Sequence, residues 1–300
     1  MAAAARKPEL IAIVGPTASG KSALASNLAK EFNGEIIAAD SWTVYKGFDI
    51  GTSKPTAEDQ QRVSHHLIDV ADPLSGLPTG QAGFNAPKFK ELAEAAITDI
   101  QNGGKLPIMV GGTGLYIDSV LFDFGFLPNV SAQERQKLDQ MALAELLDLA
   151  KNQKIDLSGV DIRNKRRVIR AIEAGGQKPT KKQLKPGAFI VGLQPRRDEL
   201  RKRVHQRVEK MIKQGLEQEV KRLSNLYGWD IEPMKGIGYR EWKDYFAGKQ
   251  TLEQTKQRIV SATMNLAKRQ RTWFKRNPHI NWFNNSDAAY ETIKNRLLSK

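Results

Sequence analysis

A chain of 300 residues with 40% hydrophobic content can bury a sizeable core in one large or two modest domains, and it contains no cysteine. A disulfide framework, a thiolate metal site and a cysteine nucleophile are excluded, and no apolar run approaches the roughly 18 residues of a membrane span. The net charge of +14 divides into −6 over residues 1–150, +13 over 151–222 and +7 over 223–300, so the later part of the chain is suited to a polyanion. Nucleic acid is the leading candidate, and a solvated basic surface is the alternative. Residues 1–7 lack the apolar core of a secretion signal, so the expected location is the cytoplasm.

The apolar run Leu10 to Val14 reads as a buried strand. Gly15-Pro16-Thr17-Ala18-Ser19-Gly20-Lys21-Ser22 follows, and then Leu24, Leu28 and Phe32 at helical spacing. Strand, glycine-rich loop and helix in this order make a P-loop. Its glycines turn backbone N–H groups toward one point, the helix N-terminus adds partial positive charge and Lys21 adds a full one, so the expected ligand is a di- or triphosphate.

Glu35 to Ala39, ending at Asp40, and Leu106 to Val110, ending at Gly111-Gly112-Thr113-Gly114, read as further buried parallel strands. Between them Phe89, Leu92, Ala96 and Ile100 recur at helical spacing and stop near Asn102-Gly103-Gly104. The alternation predicts an α/β fold, a P-loop NTPase-like parallel sheet flanked by helices, with the P-loop, Asp40 and Thr113 converging on one crevice. After Phe126-Leu127-Pro128 the sequence turns helical and charged up to Lys185-Pro186-Gly187. Residues 128–187 are therefore expected to form a helical insertion, with 1–127 and 188–300 making the catalytic core and its C-terminal helices. Ala188 to Leu193 is predicted to be another strand and Ile280 to Phe283 a last short one.

Many P-loop NTPases use an Asp at the end of a second apolar strand to help hold Mg²⁺, and a further group to position water or the acceptor. Asp40 closes the strand after the first helix, but the next strand ends in Gly111-Gly112-Thr113 without an acidic pair, so no hydrolytic apparatus is evident. Asp69, after Leu67-Ile68, reads equally as a metal-binding acid and as a turn residue. A phosphate cradle beside one carboxylate also suits a reaction in which diphosphate leaves as a unit and Asp40 takes a proton from the attacking group.

Asp161 to Ala174 reads as a helix with Arg163, Arg166, Arg167 and Arg170 on one face. Like charges at those spacings oppose one another by a few tenths of a kcal/mol per pair, no acid is interleaved, and a bound anionic backbone would relieve them. The opposite side, with Ile162, Ile169 and Ile172, can pack on other helices, which leaves a solvated basic face as the bland alternative. Arg201, Arg203 and Arg207 mix with Glu199 and Glu209 on the next helix, where ordinary surface pairing is expected. Ala267 to Trp273 is another basic run, and Trp273 and Phe274 read as helix-packing residues.

The ordered set of motifs resembles the bacterial tRNA dimethylallyltransferases over nearly the whole chain. It comprises Gly15 to Ser22, Asp40-Ser41 with Tyr45-Lys46-Gly47, Asp49-Ile50-Gly51-Thr52-Ser53-Lys54-Pro55 and His65-His66-Leu67-Ile68-Asp69. Gly111 to Tyr116, the Arg166 to Glu173 helix, Gly236-Ile237-Gly238-Tyr239-Arg240 and Ala267 to Trp273 complete it. The resemblance implies transfer of a dimethylallyl group from dimethylallyl diphosphate to N6 of the adenosine just 3′ of the anticodon. It implies that Gly15 to Ser22 bind the diphosphate, that Thr17, Lys21 and Ser22 hold it with Mg²⁺ on Ser22, and that Asp40 is the base. Arg207 falls at a family arginine serving the diphosphate. Asp40, Ser41, Trp42, Thr43, Thr113, Arg135, Arg163, Arg166, Arg167, Val168, Ile169 and Arg170 correspond to tRNA contacts, as do Gly236, Ile237, Gly238, Tyr239 and Arg240. The partner is then the anticodon stem-loop of tRNA, bound in part by the 128–187 insertion, and the expected state is a monomer away from membranes. His65 sits at a family position without an assigned role, and the stretch after Asp72, with Pro73, Gly76, Pro78 and Gly80, departs from the family pattern. The competing readings are an adenylate dimethylallyltransferase acting on free nucleotide, against which the basic insertion argues, a P-loop small-molecule kinase, and a non-catalytic RNA-binding ATPase switch.

Overall fold

The computed structural model describes residues 8–74, 83–127 and 131–299. In chain order these residues form β1 (Leu10–Val14), α1 (Lys21–Glu31), β2 (Gly34–Ala39), α2 (Ala57–Arg62), β3 (His65–His66), α3 (Ala86–Asn102), β4 (Leu106–Gly111) and α4 (Gly114–Leu121). Then come α5 (Ala132–Gln140), α6 (Leu143–Asn152), α7 (Lys165–Glu173), β5 (Ala188–Leu193), α8 (Arg197–Lys213) and α9 (Leu216–Tyr227). The chain continues through α10 (Lys243–Phe246), α11 (Leu252–Phe274), β6 (Ile280–Phe283) and α12 (Ser286–Leu298). Most of the stretch after Asp72, together with Met1 to Lys7 and Pro128, lies outside the described residues.

The six strands form one parallel sheet in the order β3-β2-β4-β1-β5-β6. Successive side chains of a strand point to opposite faces, and the sequence exploits this on β1. Leu10, Ala12 and Val14 join Ile37, Met109 and Ile190 in a core closed by Phe89 of α3, Ile117 of α4 and Phe274 of α11. Ile11 and Ile13 face the other way, against Leu24 and Leu28 of α1 and Ile293 of α12. Both faces are covered, which is why the strands read as unbroken apolar runs. The edge strand β3 was not legible in this way, because two residues, His65 and His66, carry neither periodicity nor an apolar run.

A third core gathers α8, α9, α11 and the segment after Asp40, with Val44, Phe48, Val204, Leu216, Val220, Tyr239 and Trp242 buried together. Helices α5, α6 and α7 have a core of their own, built from Leu138, Leu146, Ala150, Val168, Ile169 and Ile172.

The basic helix is shorter than its sequence pattern predicts. Asn164 is the N-cap of α7 and accepts from the Arg167 N–H, so helical geometry starts at Lys165. Asp161 accepts the Arg163 N–H at 3.3 Å in a preceding turn, which leaves Arg163 off the helix and out of the four-arginine face. Acids also relieve this face, contrary to the reading of an unrelieved stripe. Glu173 takes Arg170 at 3.1 Å, and Glu232, brought in from the core, takes Arg166 at 3.3 Å. Val168 and Ile169 are fully buried, so their side chains support the helix from within.

Candidate active site at the carboxyl edge of the sheet

Strands β1, β4 and β2 are neighbours, and the P-loop, Thr113 and Asp40 follow their carboxyl ends. Gly15 leaves β1 at φ 141°, and a Cβ there would lie 2.4 Å from the Leu193 carbonyl oxygen, so only glycine can pass this point without moving β5. Gly20 is the N-cap of α1 and no side chain caps the helix, which leaves its first-turn N–H groups for an anion. The P-loop is braced from outside by two side chains. Gln270 of α11 accepts the Thr17 N–H at 2.8 Å, and Arg203 of α8 donates to the Ser19 carbonyl at 3.0 Å.

Lys21 is buried and its Nζ donates to the Pro16 carbonyl at 2.6 Å. Burial pushes its pKa down to about 7; the Arg207 guanidinium adds to the fall and the Asp40 carboxylate opposes it. Arg207 reaches the same place from α8, donating from Nη1 to Thr17 Oγ1 at 3.1 Å and from Nη2 to the Thr52 carbonyl at 3.3 Å. Burial lowers its pKa as well, again against the pull of Asp40. Two mutually repelling basic groups with little solvent around them are short of negative charge, and an anionic ligand would supply it. The expected surface pairing on α8 holds for Arg203, which also meets Glu199, but not for Arg207, whose partners are a hydroxyl and a carbonyl.

Asp40 Oδ1 accepts the Trp42 N–H at 2.9 Å, and Oδ2 has no protein partner among the described residues. Thr113 occupies the N-cap position of α4 but its side chain does not cap the helix; its hydroxyl accepts the Ser41 N–H at 3.1 Å and ties the loop after β4 to the loop after β2. Tyr116 stacks on Phe89 with ring centroids 4.2 Å apart, and burial, then the charges of Tyr45 and Asp40, raise its pKa.

The remaining sequence candidates are scattered. Thr43, Gly236, Gly238 and Tyr239 are buried, Trp42 and Ile237 are half-buried, and Arg240 is exposed with its Nε on Glu241 at 2.8 Å. Arg135 lies in the α5–α7 unit, paired with Glu173 at 2.9 Å and Asp139 at 3.0 Å. Asp69 is a turn residue at φ 56°, ion-paired with Lys54 at 2.6 Å, and no group of three metal-ligating side chains occurs among the described residues. His65 bonds the Val63 carbonyl through Nδ1 at 2.7 Å. An open recess of about 850 Å³ runs beside α11, lined by Arg240, Gln257, Arg258, Asn265 and Arg269 among others. Gln270 and Arg203 were missed as P-loop braces because nothing in a basic helical run announces which amide or guanidinium turns inward.

A family model described as IPP transferase matches residues 43–277. The chain is 42% identical to a tRNA dimethylallyltransferase of Pediococcus pentosaceus, over 96% of this chain and 97% of that one. It resembles the crystal structure of a tRNA isopentenylpyrophosphate transferase from Bacillus halodurans, with TM-score 0.72 and 35% identity over 97% of each chain. A tRNA isopentenylpyrophosphate transferase structure from Staphylococcus epidermidis gives TM-score 0.70 and 32% identity over 97% of this chain and 99% of that one. With a family match over more than half its residues and relatives aligned along nearly all of them, the chain belongs to the IPP transferase family.

Proposed function

We propose that this protein transfers a dimethylallyl group from dimethylallyl diphosphate to the exocyclic N6 amine of the adenosine immediately 3′ of the anticodon in tRNA, releasing diphosphate. The observation that carries this reading is the gathering of two chemically different sets of groups at one edge of the sheet. Lys21, Thr17 and Arg207 offer charge and hydrogen bonds, and Asp40 offers a carboxylate oxygen. An aromatic amine is a weak nucleophile, so the barrier falls when the leaving oxygen is stabilised by cations and the developing ammonium loses its proton. The N6–carbon bond forms as the allylic carbon–oxygen bond breaks, the proton passes to Asp40 and the electron pair leaves with the diphosphate.

A Mg²⁺ ion fits this arrangement only as a companion of the diphosphate. Ser22 is exposed at the first turn of α1, and a single hydroxyl plus phosphate oxygens is a set that Mg²⁺ accepts. The ion would neutralise leaving-group charge.

The acceptor base must leave its stack to reach Asp40, which is easiest in a loop and favours an anticodon loop over a duplex. The α5–α7 unit, with Arg163, Arg166 and Arg167 exposed, and the surface at Ile237 and Arg240 are suited to the RNA backbone. A tRNA substrate would place the reaction in the cytoplasm. Nucleoside mass spectrometry of an anticodon stem-loop incubated with enzyme, dimethylallyl diphosphate and Mg²⁺ tests the proposal. An N6-dimethylallyl product supports it, whereas prenylation of AMP alone, or phosphoryl transfer from ATP, overturns it in favour of the free-nucleotide or kinase reading.

A further inference from the structure

Glu219 on α9 is a buried carboxylate with neutral partners. Its Oε2 accepts the N–H groups of Asp49 at 3.3 Å and Ile50 at 2.9 Å, and its Oε1 accepts the Gly51 N–H at 3.1 Å and the Tyr239 hydroxyl at 2.7 Å. No lysine or arginine lies within ion-pair distance of it among the described residues. Three successive backbone N–H groups aimed at one point are a typical anion cradle, and here the protein fills it with its own side chain. The fit is tight on the far side too, since a Cβ on Gly51 would lie 2.4 Å from Tyr239 Cζ. A carboxylate is required by this geometry, because it only accepts, whereas a carboxamide would turn an NH₂ toward at least one N–H.

The segment so held leads directly to the site. Thr52 closes the turn through its hydroxyl on the Phe48 carbonyl at 2.7 Å, and its own carbonyl accepts Arg207 Nη2, whose Nη1 meets Thr17. We infer that Glu219 is a positioning residue for the diphosphate half of the reaction: by gathering the N–H groups of residues 49–51 it fixes the Thr52 carbonyl that sets Arg207 against the P-loop. This rests on the reading of the P-loop as a diphosphate cradle.

Steady-state kinetics of Glu219→Gln, Arg207→Ala and the double variant test it, with dimethylallyl diphosphate and an anticodon stem-loop varied in turn. Glu219→Gln lowers kcat/KM for dimethylallyl diphosphate about ten-fold, keeps KM for RNA within about two-fold, and adds little once Arg207 is gone, as expected of residues acting in series. If Glu219→Gln does not fold, Glu219→Asp, which keeps the charge but shortens its reach, gives the same split. Equal damage to the RNA KM, or a loss that multiplies fully with that of Arg207→Ala, overturns the role of Glu219 alone. An Arg207→Ala enzyme with unaltered kcat/KM for dimethylallyl diphosphate overturns the diphosphate assignment itself, and the role of Glu219 with it.

Discussion

Arg207 donates to the Thr17 hydroxyl at 3.1 Å across 190 residues of chain, so α8 completes a P-loop that starts the sequence. Thr17→Ala and Arg207→Ala should each lower kcat/KM for dimethylallyl diphosphate, and together by less than the product of the two. Groups in contact typically couple by about 0.5–3 kcal/mol. Full multiplicativity in the double variant would show that the two side chains serve the diphosphate separately.

Asp40 keeps one oxygen on the Trp42 N–H and the other without a protein partner. Asp40→Asn fits the same space and cannot take a proton, so turnover should fall by about two to four orders of magnitude while RNA affinity holds. Single-turnover rates within a few-fold of the parent would remove Asp40 from the proton transfer.

Lys21 has its Nζ on the Pro16 carbonyl and its charge beside Arg207. Lys21→Ala should cost about two to three orders of magnitude in kcat through lost stabilisation of the leaving group, with RNA binding retained. A matching loss of RNA affinity in filter binding on the folded variant would mean that the P-loop holds nucleic acid backbone instead.

The arginines of α7 should separate by their partners. Arg167 is exposed and has no acid within ion-pair distance among the described residues, so Arg167→Gln should weaken RNA binding and flatten the slope of log K against log salt by about 0.7–0.9. Arg170 holds the buried Glu173 carboxylate and the Leu127 carbonyl, so Arg170→Gln should lose about 1–3 kcal/mol of stability. Calorimetry and salt titration of the two variants check this, and the reverse assignment of effects would refute it.

Asp118 is buried on α4, with Oδ2 accepting the Trp273 indole N–H at 2.9 Å and Oδ1 unpartnered. Burial raises its pKa, against the indole N–H and the charge of Lys181. A carboxyl that holds its proton more tightly when folded loses stability as pH rises through the raised value. Asp118→Asn, which never ionises, should therefore gain in thermal midpoint over the parent from acid to neutral pH. A constant difference between the two across that range would sink the idea.

The sheet was legible in the sequence because both its faces are covered, so β1, β2, β4 and β5 announce themselves as apolar runs, whereas the edge strand β6 interrupts its run at the exposed Asn281. The P-loop, Asp40 and Thr113 were legible for the related reason that loops after parallel strands share an edge. Arg207 was carried by the family resemblance, since on α8 its spacing matches residues that merely pair at the surface. Glu219 and Gln270 left no local signal, because each acts on backbone N–H groups more than 160 residues away. The stripe of α7 was misjudged at Arg163 because Asn164 prefers to cap a helix over continuing one.

The place of β1 between β4 and β5 also bears on how the protein is made. Once residues 106–111 have left the ribosome, β1 can pair on one side only, and its other edge stays open until residues 188–193 follow. The intervening segment takes several seconds, about 4 to 16, at ordinary rates of synthesis. During that interval an apolar strand edge faces the cell unpaired, a template for association with another nascent chain. The α5–α7 unit, synthesised meanwhile with its own core, is what the growing chain must finish before its central strand is sealed.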